Sequence, residues 1–216
     1  MHRYSLTLLL VSLATLSCSG SKMPPIALPA PDLNGLSSVG DAFKSRQSIR
    51  DFVSDELSLQ QLSNLLWAAN GINRPENGKR TAPSSHNSQE IDLFVVMANG
   101  TYCYNAAKHQ LDPVAEGDLR ALVAGSFQKE FAAAPVCIVL VADLRKLGEG
   151  KATEHDVRTA HIDAGIVSQN INLYCAAAGL ATVPRSSMDS ESLSKALNLD
   201  SLQRPILNNP VAMPKK

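Results

Sequence analysis

Apolar residues recur at helical spacing through one long stretch, Val157 to Ser187, which reads VRTAHIDAGIVSQNINLYCAAAGLATVPRSS. One stripe is Ala160, Ala164, Val167, Ile171, Tyr174 and Ala178; a second is Ile162, Ile166, Leu173 and Ala177. A helix apolar around most of its circumference is buried rather than surface-lying. Its polar residues His161, Ser168 and Asn172 fall on one narrow stripe. Its small residues (Ala160, Ala164, Gly165, Ser168, Ala176 to Ala178) admit a second helix or a flat ligand at close range. Gly179 is placed to end the helix in a left-handed conformation. Leu180 to Val183 then reads as a short strand, and Pro184 ends its pairing. Helix, stop, strand and polar loop together set the loop backbone at the edge of a pocket.

The same reading elsewhere predicts a short helix over Val39 to Arg46 and an amphipathic one over Ser58 to Ala69. The second buries Leu59, Leu62, Leu65, Leu66 and Ala69, with Ser58 as N-cap and Gln61 completing a capping box. Trp67, the only tryptophan, is expected in the core. Ile91 to Ala98 and Thr101 to Tyr104 read as strands joined by an Asn99-Gly100 type I′ turn. That turn also accounts for the glycosylation-like triplet Asn99-Gly100-Thr101. Helices are expected over Val114 to Val123, Gln128 to Ala133 and Asp189 to Leu197. A last strand is expected within Leu202 to Val211. Val136 to Ala142 is a near-continuous apolar run, hence a strand covered on both faces. Asn70 to Glu90 is long, polar and aperiodic, which in a compact domain marks a functional or unstructured loop. Its Ala82 to Gln89 portion concentrates small hydrogen-bonding side chains, suited to a neutral polar ring or to a plain Ser/Asn-rich turn.

Composition narrows the partners. The 216 residues carry 20 Lys+Arg and 20 Asp+Glu, so charge gives no reason to expect nucleic acid or a membrane surface. Aromatics are only 5%, leaving Leu, Ile, Val and Ala to fill one core. At the N-terminus, His2 and Arg3 precede an apolar run, Leu6 to Leu16, too short to span a bilayer. Thr15-Leu16-Ser17-Cys18 ends it like a bacterial lipoprotein cleavage site. This predicts a signal peptide over 1–18 with lipid on Cys18, or ordinary cleavage nearby, and an exported, periplasmic or cell-envelope location. Residues 19–38, rich in Pro and Gly as far as Gly35, read as a tether, and 39–216 as a single domain. Cys103, Cys137 and Cys175 have no metal-ligand spacing and read as buried free thiols. Arg46, Ser48 and Arg50 alternate with Gln47 and Ile49. In an extended stretch three donors then share a side, which suits a phosphate as well as it suits a solvated basic loop.

Several ordered blocks carry more weight together than singly. They are Ser45 to Phe52, Leu66 to Asn73, Lys79 to Ser85, Gly100-Thr101-Tyr102 through Leu111, Ala134-Pro135-Val136, Asp163-Ala164-Gly165 with Gln169-Asn170, Gly179 to Pro184, and Pro210-Val211. In this order, over Phe43 to Pro214, they resemble the nitroreductase superfamily of FMN enzymes, above all its thiazole/oxazole-forming oxidase/dehydrogenase branch. The resemblance implies an α+β fold, with a mixed, mainly antiparallel sheet packed by helices. It also implies an obligate homodimer with two FMN molecules at the interface and the long helix as a dimer helix. Carried over by residue, it assigns Arg46, Gln47, Ser48 and Arg50 to the FMN phosphate and ribityl chain. It assigns Pro83, Ser84, Ser85 and Asn87 to a contact from the partner chain, and Pro184, Arg185, Ser186 and Ser187 to the isoalloxazine near N5. Three departures stand out. Ser186-Ser187 replaces a common Glu-Gly, Pro210-Val211-Ala212 replaces Pro-Val-Gly, and only Lys215 and Lys216 could stand in for late phosphate-binding basic residues.

The expected activity is a ping-pong hydride transfer through flavin N5, from NAD(P)H or another donor to a small organic acceptor. The flavin would carry the chemistry, with no catalytic side chain and no metal. The alternatives are a flavin oxidase acting on a peptide or heterocycle, and an exported flavin-binding lipoprotein without turnover. An unrelated binding domain would be a colourless monomer.

Overall fold

The computed structural model describes residues 23–148 and 152–215. The signal segment 1–18 with its Cys18 lies outside the described residues, as does Lys216. In chain order the helices are α1 (Val39–Ser45), α2 (Leu59–Asn70), α3 (Arg120–Ala124), α4 (Glu154–Ala178) and α5 (Ser190–Ala196). The strands are β1 (Ile26–Ala27), β2 (Phe52–Val53), β3 (Ile72–Arg74), β4 (Lys79–Arg80), β5 (Ile91–Met97), β6 (Gly100–Asn105), β7 (Gln110–Glu116), β8 (Val136–Asp143), β9 (Ala181–Thr182) and β10 (Gln203–Pro214).

The main sheet runs β1-β7-β6-β5-β8-β10-β2, with β9 added against β10, while β3 and β4 form a separate ribbon. Every pairing among the described residues is antiparallel. β8 is buried along its whole length, as its apolar run requires. Ile138, Leu140 and Ala142 face one core, with α2 and α4. Cys137, Val139 and Val141 face the other, with Val123 of α3 and Leu193 of α5. The period-2 alternation of a strand thus divides one apolar segment between two layers of helix.

Helix ends follow the local chemistry. The Ser58 hydroxyl accepts from Gln61 N, and the Gln61 side chain accepts from Ser58 N, closing the expected capping box on α2. α4 starts on a second box, Thr153 with Asp156, and stops at Gly179 with φ 68 and ψ 29. Its inner stripe, Ala160 to Tyr174, is buried, but Ile162 on the outer stripe is 60% exposed. Ile166, Leu173 and Ala177 are half-buried. A single chain therefore leaves one apolar face of this helix uncovered.

Several expectations need correction. Leu59, expected on the buried face of α2, is 44% exposed, and Cys103, expected to be buried, is only half-buried. Met97 pairs with Gly100, so the hairpin turn is Ala98-Asn99, one residue earlier than expected. Gly100, at φ 150, belongs to β6, where a Cβ would collide with the Met23 side chain. The helix expected over Val114 to Val123 is instead the end of β7, then Gly117 at φ 85, then the short α3. Pairing with β6 overrides a weak helical pattern there. The segment from Gln128 is a 3-10 turn over Lys129–Ala133. Trp67 is half-buried, donating Nε1–H to Ile72 O at 3.1 Å, and it leaves Gly71 no room for a Cβ. Finally, the tether is docked from residue 23 onward. Ile26 and Ala27 pair with β7, Leu28 joins the core, and Pro29 O accepts from Ser63 Oγ at 2.6 Å. Pro-rich composition reports helix and strand propensity; it does not prevent an apolar strap from adding to a sheet edge.

Candidate functional site

Arg46 to Arg50 follows the C-terminus of α1. Its backbone is held by Ile49 N–H donating to Thr182 O at 3.0 Å, and Lys215 N–H donates to Asp51 O at 3.1 Å just beyond it. Ile49 is half-buried, while Arg46, Gln47, Ser48 and Arg50 are exposed. No hydrogen bond or ion pair within the chain engages these four side chains among the described residues. Two guanidiniums, a hydroxyl and an amide therefore stand free on a fixed backbone, beside β9 and the loop that follows it.

Beneath them lies a buried polar knot. Ser168 Oγ donates to Asn209 Oδ1 at 2.8 Å, and Asn209 Nδ2 donates to Asn172 Oδ1 at 3.1 Å and Thr182 Oγ1 at 3.3 Å. Two members of the polar stripe of α4 thus lock helix, β9 and β10 together. The third, His161, is exposed and donates Nδ1–H to its own helix at Val157 O, 2.6 Å away.

The 184–187 loop divides differently from the expectation. Pro184, Ser186 and Ser187 are exposed, but Arg185 is turned inward, 6% exposed. Its Nε donates to Gln128 Oε1 (3.0 Å), its Nη1 to Val123 O (3.3 Å) and Asn208 Oδ1 (2.9 Å). Its Nη2 donates to Ala124 O (2.7 Å) and Ser187 Oγ (3.3 Å), and its Cζ lies 4.5 Å from the Phe131 ring centroid. All five guanidinium N–H groups are thereby spent inside the protein. Burial lowers the pKa of this guanidinium, although an arginine stays charged. The assignment of the Arg185 side chain to a ligand is corrected: it braces the loop. Ser187 is committed as well, accepting from Arg185 and donating to Gln128 Oε1 at 3.4 Å. Ser186 alone of the pair keeps an uncommitted hydroxyl. A cavity of about 350 Å³ opens beside it, lined by Ala124, Gly125, Phe127, Ser187 and Asp189. Phe127 there is 92% exposed.

The third predicted block sits elsewhere on the chain. Ser84 and Ser85 are half-buried, Pro83 and Asn87 exposed. His86, Asn87 and Gln89 all have positive φ (50, 57 and 52), an uncommon concentration for non-glycine residues. Several contacts over-determine that shape. Ser85 N–H donates to Asp163 Oδ2 on α4 at 2.8 Å and Gln89 N–H to Ser84 Oγ at 2.9 Å. Gln89 Nε2 donates to Gly78 O at 3.0 Å, and Arg80 Nε to Gln89 Oε1 at 2.9 Å. Among the described residues no hydrogen bond joins this block to Arg46–Arg50 or Pro184–Ser187. Sequence reasoning gave no individual role to Arg80, Glu90 or Asp163, and took Gln89 only as one of the hydrogen-bonding side chains of the Ala82 to Gln89 portion. The available signal was an acid, Asp163, set beside Ala160 and Ala164 within the apolar part of α4. The larger concavities, of about 510 and 520 Å³, include none of the predicted site residues.

Among the described residues the cysteines and Ser63 are not poised as nucleophiles. Burial pushes the Cys103 and Cys137 thiols to about 12 and Cys175 higher, so none is a thiolate at neutral pH. Ser63 Oγ lies 2.7 Å from His109 Nε2, and Tyr104 Oη 2.9 Å from Nδ1, but Ser63 is fully buried. That cluster pins Pro29 of the N-terminal strap. Among the described residues no group of three or more His, Cys, Asp or Glu could hold a metal ion.

The architecture defines a class: an α+β domain whose antiparallel sheet lies between helices, with a long helix exposing one apolar face. The chain belongs to the nitroreductase family, whose sequence model matches residues 43–212. It is an oxidoreductase by that membership. A Ralstonia eutropha JMP134 protein assigned as a nitroreductase superposes with a TM-score of 0.81 at 32% identity, covering 91% of this chain and 92% of its own. A Methanocaldococcus jannaschii protein with the same assignment is 25% identical over 179 residues, 79% of this chain and 88% of that one. The E. coli microcin synthetase McbBCD complex shares the fold, with a TM-score of 0.71 at 20% identity, covering 98% of this chain and 85% of that one.

Proposed function

We propose that this chain is an FMN-dependent oxidoreductase that works as a homodimer, taking hydride from NAD(P)H or another donor and passing it to a small organic acceptor. The observation that carries this reading is the free donor set of Arg46, Gln47, Ser48 and Arg50 on a backbone tied to Thr182. Two uncompensated guanidiniums and a hydroxyl fit a phosphomonoester, which Arg engages bidentately. The neighbouring loop offers the neutral groups Pro184 and Ser186 and backbone N–H, which fit an uncharged ring edge. When bound, the flavin supplies two-electron hydride chemistry. The chain's own residues hold the phosphate, brace the 184–187 loop through Arg185 and keep Ser186 available as a hydrogen-bond donor.

The dimer reading rests on the uncovered apolar surface. Val39 (70% exposed) and Phe43 (61%) on α1 continue the open stripe of α4, and Leu33, Trp67, Leu173 and Tyr174 line an apolar groove between them. A second copy covering this face would also account for the separation of Pro83–Asn87 from the arginine segment, since the block would act across the seam. A Staphylococcus epidermidis structure of the same fold bears the description NAD(P)H:FMN oxidoreductase, consistent with this cofactor. The lipoprotein-like Cys18 pattern supports export and lipid attachment.

The test is the visible spectrum and solution mass of protein expressed from residue 23, followed by turnover with NADH against O2 and against a nitroaromatic. A yellow dimer reduced by NADH is expected. A colourless monomer would refute the proposal, and a yellow dimer inert to hydride donors would favour ligand binding without turnover. Turnover only with a peptide or heterocycle would favour the oxidase alternative.

A further inference from the structure

Glu90 is fully buried immediately before β5, and the chain gives it little to offset its charge. Its Oε2 accepts from Ser88 Oγ at 2.7 Å, while Oε1 has no donor. The group facing it is a second buried carboxyl, that of Asp163 on α4, which is 5% exposed and already accepts from Ser85 N–H. Neither carboxyl forms an ion pair among the described residues. The nearby charges are spent elsewhere. Arg80 is on Gln89 Oε1, Lys146 bonds Asp92 Oδ1 (2.9 Å) and Gln89 O (3.4 Å), and Arg145 is paired with Asp143, whose N–H donates to Glu90 O. His86 and His161 are exposed.

Two facing carboxylates out of water, with no cation between them, cannot both ionise at ordinary cost. We infer that Glu90 and Asp163 share one proton, carried on Glu90 Oε1 and donated to Asp163, and that this acid–carboxylate bond latches the 83–89 loop to α4. Asp163 then accepts twice, from Glu90 and from Ser85 N–H, and so sets where Ser85 and Asn87 stand. Both are positioning residues. The latch stands on the buried geometry alone; its consequence for the cofactor rests on the flavin reading above. Burial, with Asp163 adding to it, also raises the Glu90 pKa, although the bond from Ser88 opposes the shift.

The sign follows. A carboxyl whose folded pKa is raised contributes stability that is fully present below its unfolded value, near 4.5, and is lost as pH rises through the folded value. Glu90→Gln keeps a donor toward Asp163 and cannot titrate. Thermal or urea unfolding of the full chain from pH 4.5 to 9 should therefore show the variant gaining on wild type as pH rises. Within the titration window its relative folding constant should grow by up to about tenfold per pH unit. Asp163→Asn serves if Glu90→Gln fails to fold, and should likewise gain on wild type as pH rises. Amide exchange at Ser85 should be slower in Glu90→Gln than in wild type at the alkaline end. A difference between variant and wild type that stays flat with pH, or shrinks as pH rises, would overturn the shared proton. Both readouts are independent of flavin, so a colourless protein would refute the cofactor reading and leave the latch testable. If the protein is yellow, a flavin affinity of Glu90→Ala equal to wild type would overturn the positioning role.

Discussion

Replacing Arg46 and Arg50 together with alanine separates cofactor binding from folding. Both side chains are exposed and make no bond among the described residues, and the anchor of the segment is the Ile49 backbone, which the substitutions leave alone. Surface changes of this kind usually move stability by about 0.5 kcal/mol or less. A hydrogen bond to a charged group contributes about 1.5–3 kcal/mol, and exposure places these contacts near the lower end of that range. Two arginines lost from one phosphate should therefore cost about 3–4 kcal/mol, or roughly 10²- to 10³-fold in FMN affinity. Riboflavin, which has the same ring and no phosphate, should lose far less. Fluorescence titration of both ligands, with a melting curve of each protein, reads all three quantities. Equal losses for FMN and riboflavin would refute the phosphate assignment, as would full FMN occupancy in the double variant.

Other substitutions probe the braces and the seam. Arg185→Met strands the buried carbonyls of Val123 and Ala124 and should destabilise the fold by about 3–5 kcal/mol in chemical denaturation; a loss below about 1 kcal/mol would contradict its bracing role. Ser187→Ala should leave the bound-flavin spectrum and potential nearly unchanged while Ser186→Ala shifts them, because only Ser186 has a free hydroxyl; the reverse result would exchange their roles. Phe43→Glu with Ile162→Glu should give a monomer by light scattering, and a persistent dimer would move the interface elsewhere. Leu65→Ala, at a fully buried position between α2 and the sheet, should cost about 2–5 kcal/mol. Cys137 and Cys175, both buried, should resist a thiol reagent at pH 8 in folded protein, and rapid labelling of either would contradict that burial.

Much of the fold follows from local chemistry. The Ser58 capping box, the Gly179 stop, the apolar run of β8 and the inner stripe of α4 are all short-range patterns with one cheap structural solution, so they can be read from residue types. The free arginines belong here too, because spacing and charge put them on one segment whatever the fold. The tertiary structure decided whatever depended on a distant partner. Val114 could be helix or strand until β6 lay beside it, and Pro-rich residues 23–36 became a strap because β7 offered an open edge. Arg185 looked like a ligand-facing cation, but carbonyls about 60 residues away in sequence took its donors. Glu90 and Asp163 are unremarkable acids until the fold places two carboxyls face to face without water, where the energy of a charge depends on its surroundings more than on its identity.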